Sequence, residues 1–192
     1  MGVMPLASCA DNAGKHKIME DKKTLVVYFS RAGENYSVGN IKKGNTQIVA
    51  EMIAGEVGAD TFHIEPARPY PDDYTRCTEV AQQEVDEQAR PAVKGDARVE
   101  DYDVVFIGYP IWWGDMPMPV YTFIEKHDWR GKTVISFATH EGSGMSGTER
   151  KLKSVCKGAV VAAGLAVRGA TAQNNRAQTE KMVESWIRSI EY

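Results

Sequence analysis

The chain has 192 residues, of which 43% are hydrophobic and 26% are charged, the size and composition of one globular domain rather than of a disordered or fibrous chain. Its formal net charge is -3, from 26 acidic and 23 basic residues, which excludes a strongly basic surface for nucleic acid or anionic lipid. No apolar run approaches the roughly 20 residues that a transmembrane helix needs.

The first 23 residues differ from the rest of the chain. Residues 10–23 are polar, Lys-rich and aperiodic, which predicts a disordered leader before a domain at 24–192. Residues 6–9 (LASC) resemble a bacterial lipoprotein processing site, but only eight residues precede Cys9 and none is basic. Two interpretations stay open: a cytoplasmic protein with a fortuitous match, or a protein anchored by lipid at Cys9 outside the cytoplasm.

From residue 24 onward, strand-like and helix-like segments alternate. Strand patterns lie at 24–30, 61–64, 103–109, 132–138 and 160–168. Those at 24–30 and 103–109 are continuous apolar runs typical of buried strands, the second is short and the fifth is broken. Helical patterns follow them at 45–57, from 72 or 73 to about 90, and at 120–126, 148–156 and 178–190. Five such units predict a doubly wound parallel sheet, with ligands at the carboxyl ends of its strands.

Three loops follow the first, third and fourth predicted strands. The first carries Ser30 and Arg31, and later Asn45 and Thr46 at the start of a helix, where backbone N–H groups favour an anion such as phosphate. A simpler interpretation is that Asn45 or Thr46 only caps that helix. The second loop, PIWWGD at 110–115, offers an indole to a flat ring, since both tryptophans do not easily enter one core.

The third loop, THEGSG at 139–144, has glycines that let its backbone approach the edge of a heterocycle. Together the three loops suit a planar phosphorylated cofactor. The candidate cofactor-binding residues are Ser30, Arg31, Asn45, Thr46, Pro110, Ile111, Trp112, Trp113, Gly114, Thr139, His140, Glu141, Gly142, Ser143 and Gly144. No metal ligand set is predicted, because the widely spaced Cys9, Cys77 and Cys156 form no CxxC pair. No catalytic side chain is predicted either.

The segments VVYFSR (26–31), GNT (44–46) and GYPIWWG (108–114) resemble the flavodoxin family, and the resemblance covers about 24–192. It implies a five-stranded parallel sheet of order 2-1-3-4-5, helices on both faces and FMN at the switch in strand order. By position, Ser30, Asn45 and Thr46 would hold the phosphate, and Trp112 or Trp113 would pack on the flavin. Residues 31–43 separate Ser30 from GNT, unlike the compact family loop. Residues 32–43 can loop over the site so that Tyr36 reaches the flavin.

The function predicted from this resemblance is electron or hydride transfer through non-covalent FMN, because the flavin carries the electrons and the protein tunes it. An electron-transfer flavoprotein and an FMN-dependent quinone reductase both remain open, with a redox partner protein or a small quinone-like acceptor. The alternative of another class is a binding module with the flavodoxin fold and no redox activity. A GxGxxG match at 142–147 does not indicate a nicotinamide site, because no acidic residue occurs between Glu149 and Glu180.

Overall fold

The computed structural model describes residues 22–190. The predicted leader at 1–23, including Cys9, lies outside the described residues apart from Lys22 and Lys23. Lys23 already belongs to the domain, because its N–H donates to Asp103 Oδ2 and its carbonyl accepts from the Asp103 N–H.

A five-stranded sheet forms the centre of the molecule, with strands in the order β4-β1-β7-β8-β9 and every pair parallel. Its strands are β1 (Thr24–Tyr28), β4 (Asp60–His63), β7 (Val104–Pro110), β8 (Thr133–His140) and β9 (Val160–Arg168). Counted along the chain, this is the order 2-1-3-4-5, so the predicted flavodoxin-like sheet is confirmed. The three central strands are almost entirely buried, as expected for a sheet covered on both faces.

Six helices are described: α1 (Asn45–Val57), α2 (Tyr74–Asp86), α3 (Met118–Ile124), α4 (Thr148–Val155), α5 (Gly169–Asn174) and α6 (Arg176–Ser189). Successive residues of β7 point to opposite sides of the sheet and enter two separate cores. Val105 and Ile107 join the core with α3 and α4, whereas Phe106 joins the core with α1 and α6. Helices therefore cover both faces, as predicted.

The observed boundaries agree with the periodicity at most elements. Helix α1 coincides with the predicted 45–57, and Asp73 caps α2 by accepting from the Arg76 N–H. Strand β8 continues to His140, beyond the predicted 138, because Thr139 and His140 pair with Val167 and Arg168 of β9. These two residues therefore end a strand rather than begin a loop.

Short elements were not predicted. Residues 33–41 form a hairpin of β2 (Gly33–Asn35) and β3 (Gly39–Ile41), and β5 (Glu65–Pro66) pairs with β6 (Val93–Lys94). Strands of two or three residues are too short to show alternation in sequence, and their pairing depends on contacts elsewhere. Residues 99–101 add a single 3-10 turn. Across residues 22–190, no helix has the length and apolar character needed to cross a membrane.

Candidate functional site

A cavity of about 390 Å³ opens where the carboxyl ends of β1, β7 and β8 meet. Parallel strands at the switch in strand order leave a crevice there, because neighbouring connections leave toward opposite faces. Nine of the predicted site residues line it: Arg31, Asn45, Pro110, Ile111, Trp112, Trp113, Thr139, His140 and Glu141. The three predicted loops therefore converge on one cavity.

Six further residues line the cavity: Asn35, Tyr36, Tyr74, Cys77, Thr78 and Ala81. Tyr36 belongs to the β2–β3 hairpin, which agrees with the expectation that the inserted segment reaches over the site. The four residues of α2 were missed, because nothing in their sequence distinguishes them from a helix face packed on a core. Burial raises the pKa of the Cys77 thiol, which lies almost fully buried at this wall.

The N-terminus of α1 forms one end of the cavity. Gly44 precedes the helix and contributes no side-chain cap, and the Ser30 hydroxyl instead accepts from the Gln47 N–H at 3.0 Å. A Cβ on Gly44 would lie 2.2 Å from Ser30 Oγ, so only glycine fits this turn. The first helical turn also has no acidic residue, so its N–H groups and its dipole favour an anion.

Thr46 and Asn45 point in different directions. The Thr46 hydroxyl shares a hydrogen bond of 2.7 Å with the Thr139 hydroxyl, and both side chains are buried. Thr46 and Ser30 therefore stabilise the start of α1 through hydrogen bonds to Thr139 and Gln47. Neither of them lines the cavity. Asn45 does line it, and its Oδ1 is buried without a hydrogen-bond partner among residues 22–190.

The two adjacent indoles have separate environments. Trp112 packs edge-on against Phe29 at 5.2 Å and Tyr70 at 5.1 Å, measured between ring centroids, at the margin of the core. Trp113 is 55% exposed, and its Nε1–H donates to the Thr78 carbonyl at 3.0 Å. Trp113 is therefore the indole of the pair that stays outside the core.

A two-residue turn places Trp113 at the cavity. Trp112 and Asp115 exchange two backbone hydrogen bonds of 2.9 Å, with φ of 50° at Trp113 and 74° at Gly114. This is a type I′ turn, which suits Gly114 but strains an indole-bearing residue by about 1–3 kcal/mol. The buried Asp115 holds the turn by accepting from the Tyr121 hydroxyl at 2.9 Å.

His140 organises the loop after β8. Its Nδ1 accepts from the Gly142 N–H at 2.8 Å and from the Gly144 N–H at 3.1 Å. These bonds require an unprotonated Nδ1. Burial lowers the pKa of the ring, the Glu141 carboxylate opposes this shift, and Arg168 adds to it. The loop of Gly142, Ser143 and Gly144 therefore folds back on His140, and these three predicted residues do not line the cavity. Gly114, in the turn after Trp113, does not line it either.

Glu141 and Arg31, which both line the cavity, bond to other parts of the protein. Glu141 Oε1 accepts from the Ala170 N–H at 2.7 Å, while its buried Oε2 has no hydrogen-bond partner in the described chain and lies 3.6 Å from an Arg168 nitrogen. Arg31 donates to the carbonyls of Glu34, Pro71 and Asp72. Its guanidinium thus fastens the inserted hairpin to the segment before α2.

The comparisons with known proteins agree with this architecture. A family model described as flavodoxin matches residues 23–190. A candidate flavoprotein from Bacteroides eggerthii is 33% identical, with 87% of this chain and 96% of that chain covered and a TM-score of 0.69. A second, from Bacteroides uniformis, is 30% identical over 84% of this chain and 97% of that one, with a TM-score of 0.64.

More distant structures share the fold. A flavoprotein from Lactobacillus acidophilus, solved in complex with FMN, is 21% identical over 76% of this chain and 93% of that chain, with a TM-score of 0.60. No curated protein matches the chain. The matched model spans nearly the whole described domain and the strand order agrees with it, and the chain therefore belongs to the flavodoxin family.

Proposed function

We propose that the cavity binds FMN non-covalently and that the protein transfers electrons or hydride through it. The single observation that carries this proposal is the convergence of the open α1 N-terminus, the exposed Trp113 and the polar end of β8 on one cavity of about 390 Å³. This volume lies in the range of about 300–1,000 Å³ that is typical of small-molecule sites. The FMN complex of the Lactobacillus acidophilus flavoprotein, which shares the fold, adds support.

The phosphate end of FMN fits the first turn of α1. An anion there would meet N–H groups that have no acceptor within the helix, together with a dipole equivalent to about +0.5 charge. The Gly44 turn has no room for a Cβ because it packs against Ser30 Oγ and the Arg31 carbonyl, and this packing fixes the start of the helix. Arg31 would contribute positive charge nearby, although its N–H groups already bond three carbonyls.

The middle and edge of FMN need acceptors, because the ribityl hydroxyls and one ring nitrogen carry hydrogens. Asn45 Oδ1 and Glu141 Oε2 are buried acceptors at this cavity without a hydrogen-bond partner in the described chain, and Glu141 Oε2 forms an ion pair of 3.6 Å with Arg168. A buried acceptor without a hydrogen bond costs about 1–3 kcal/mol, so a ligand that donates to Asn45 Oδ1 would recover that energy. The residues present therefore fit the group.

FMN would supply the redox chemistry, and this chain would set the conditions for it. Trp113 would cover a ring face and exclude water from it. His140 adds no positive charge to the cavity while its Nδ1 accepts two N–H bonds, whereas Glu141 adds a carboxylate that lies 3.6 Å from an Arg168 nitrogen. Arg31, which also lines the cavity, adds a positive charge.

The substitution Asn45→Asp tests the proposed orientation of the ligand. It keeps the side-chain shape and suits a helix start, but it sets a carboxylate beside the phosphate. We expect the affinity for FMN to fall at least about tenfold, since unit charges about 4 Å apart interact by about 4 kcal/mol at an effective dielectric of about 20. The affinity for riboflavin, which lacks the phosphate, should fall much less in the same variant.

Asn40→Asp is the matched control, because it adds the same charge on the exposed hairpin outside the cavity. Fluorescence titration with FMN and riboflavin gives both affinities. Equal losses for the two ligands, or no loss for FMN, would show that the phosphate binds elsewhere. A purified wild-type protein that is colourless and gains no FMN on titration would favour the alternative, a binding module without redox activity.

A further inference from the structure

We propose that Lys151, which lies on α4 and does not line the cavity, is a positioning residue for the flavin site. Its ammonium group holds the carboxylate of Asp115, and Asp115 holds the turn that presents Trp113 to a ligand. The inference rests on the proposed function, because it gives Lys151 a part in FMN binding through Trp113. It links the ligand to a helix that contributes no residue to the cavity wall.

The Asp115 carboxylate is bonded through both of its oxygens. Oδ2 accepts from Lys151 Nζ at 2.5 Å, while Oδ1 accepts from the Tyr121 hydroxyl at 2.9 Å and from the Met116 N–H at 2.7 Å. The Asp115 side chain is only 11% exposed, whereas that of Lys151 is 45% exposed. A nearly buried carboxylate needs a counter-charge, and among residues 22–190 its ion pair is with Lys151.

The other groups near Asp115 do not supply that counter-charge. Burial raises the pKa of Tyr121 most, the Asp115 carboxylate raises it further and Arg90 opposes the shift, so the phenol keeps its proton and acts as a neutral donor. Arg90 lies over the Tyr121 ring at 5.1 Å, but its guanidinium bonds both oxygens of Glu125 at 2.8 Å. The cation that compensates Asp115 is therefore Lys151.

The backbone of Asp115 closes the turn that has Trp113 at its tip. Asp115 exchanges two backbone hydrogen bonds of 2.9 Å with Trp112. The chain beyond the turn is fixed in the core, since Met116 and Met118 are 0% and 2% exposed. A displacement of Asp115 therefore moves the turn rather than the chain that follows it.

Trp113 depends on this support because its backbone is strained. Its φ is 50°, and a residue other than glycine stays in such a conformation only where its surroundings hold it. The indole is 55% exposed and has one hydrogen bond, to the Thr78 carbonyl, so packing alone does not hold it. The ion pair at the base of the turn is a part of the support that one exposed side chain supplies.

Lys151 also connects two of the loops that meet at the cavity. Helix α4 begins at Thr148, directly after the loop that follows β8. In that loop, Ser146 Oγ lies 3.5 Å from the Cβ position of Gly114 in the Trp113 turn. The loop and the turn are therefore close neighbours, and the ion pair between Lys151 and Asp115 fixes one relative to the other.

Titration of the full chain and its variants with FMN tests the inference. Lys151→Met keeps an unbranched helix-forming side chain and removes the charge, so FMN should bind at least about fivefold more weakly. In a Trp113→Asn background the same substitution should change the affinity less than about twofold, because the residue through which it acts is gone. Lys151→Arg should restore binding. Lys153→Met, at an exposed lysine of the same helix, is the matched control and should bind FMN as the wild type does.

A second variant covers the case in which Lys151→Met does not fold, since removal of one partner of a buried ion pair is destabilising. Asp115→Asn combined with Lys151→Met leaves no unpaired charge, and the amide oxygen can still accept from the Tyr121 hydroxyl. This double variant should bind FMN at least about threefold more weakly than the wild type, because the bond from α4 is absent. Urea unfolding of the FMN-free proteins shows which variants fold.

The outcomes separate this inference from the proposed function. The positioning role would be overturned if Lys151→Met weakened FMN binding equally with and without the Trp113 indole. It would also be overturned if the folded variants that lack Lys151 bound FMN as tightly as the wild type. Both results require a protein that binds FMN and leave the proposed function intact, whereas a wild-type protein that takes up no FMN would refute the proposed function and this inference with it.

Discussion

The hydroxyl oxygens of Thr46 and Thr139 lie 2.7 Å apart, and both side chains are buried. This bond joins the first turn of α1 to the last residues of β8, so the end of the cavity that suits a phosphate is fixed relative to the end that suits a ring edge. Pre-set distances between parts of a site lower the entropy that a ligand must lose on binding.

Thr46→Val should lower the free energy of unfolding by about 1–3 kcal/mol, because it leaves the buried Thr139 hydroxyl without a partner. Thr139→Val should do the same. The double variant should lose less than the sum of the two, since no unpaired hydroxyl remains. Urea unfolding of the wild type, the two single variants and the double variant gives the double-mutant cycle. Strictly additive losses of unfolding free energy would mean that the two hydroxyls do not stabilise the fold as a pair.

Gly44→Ala and Gly55→Ala form a matched pair at α1. The added Cβ at Gly44 would lie 2.2 Å from Ser30 Oγ and 2.6 Å from the Arg31 carbonyl, so we expect lower stability and at least about tenfold weaker FMN binding. Gly55, inside α1, has nothing within 4 Å of its Cβ position, so alanine there should stabilise by about 0.5–1 kcal/mol. Urea unfolding measures the stability of the two variants, and titration with FMN measures their affinity. Normal FMN binding by Gly44→Ala would contradict the proposed phosphate position.

Trp113→Asn should separate stability from binding. Asparagine suits the first central position of a type I′ turn, so the free energy of unfolding of the FMN-free protein should stay level or rise by about 1 kcal/mol. FMN binding should weaken, because a ring-covering indole is lost. Trp112→Ala should instead destabilise the fold, since that indole packs on Phe29 and Tyr70; a loss of stability in Trp113→Asn would argue that Trp113 is kept for the fold.

His140 gives a pH prediction with a defined sign. Burial lowers the pKa of its ring below the usual 6.5, so the unfolded chain binds a proton there more readily than the folded one. The resulting contribution to stability is complete above pH 6.5 and is lost as the pH falls through the lower folded-state pKa. Protonation of Nδ1 also removes the acceptor for the Gly142 and Gly144 N–H groups.

The control for this prediction is His140→Asn, whose amide oxygen can accept the same bonds without titrating in this range. Between about pH 7.5 and about pH 5.5, urea unfolding should show a larger loss of stability for the wild type than for the variant. The two proteins differ only at residue 140, so the difference between their pH profiles reports on that residue. Parallel pH profiles would mean that His140 has the same pKa in the folded and unfolded states.

Much of the fold follows from the sequence because its central strands are hydrophobic on both faces. The apolar runs at β1, β7 and β8 can be stable only between two layers of helices, and the alternation with helices makes the sheet parallel. The sequence likewise predicts that the loops after these strands meet, since carboxyl ends of parallel strands share an edge. Nine of the fifteen candidate residues line the cavity on that basis.

Only the tertiary structure decided which atoms face the cavity. Two identical indoles in one loop cannot be ranked from sequence; the turn closed by Trp112 and Asp115 turns Trp113 outward. Thr46 bonds a residue 93 positions away, so its orientation depends on strand register rather than on local pattern. The position of Tyr36 depends in the same way on Arg31, whose guanidinium joins the inserted hairpin to the carbonyls of Pro71 and Asp72. In each case the direction of a side chain is set by partners that are distant in sequence.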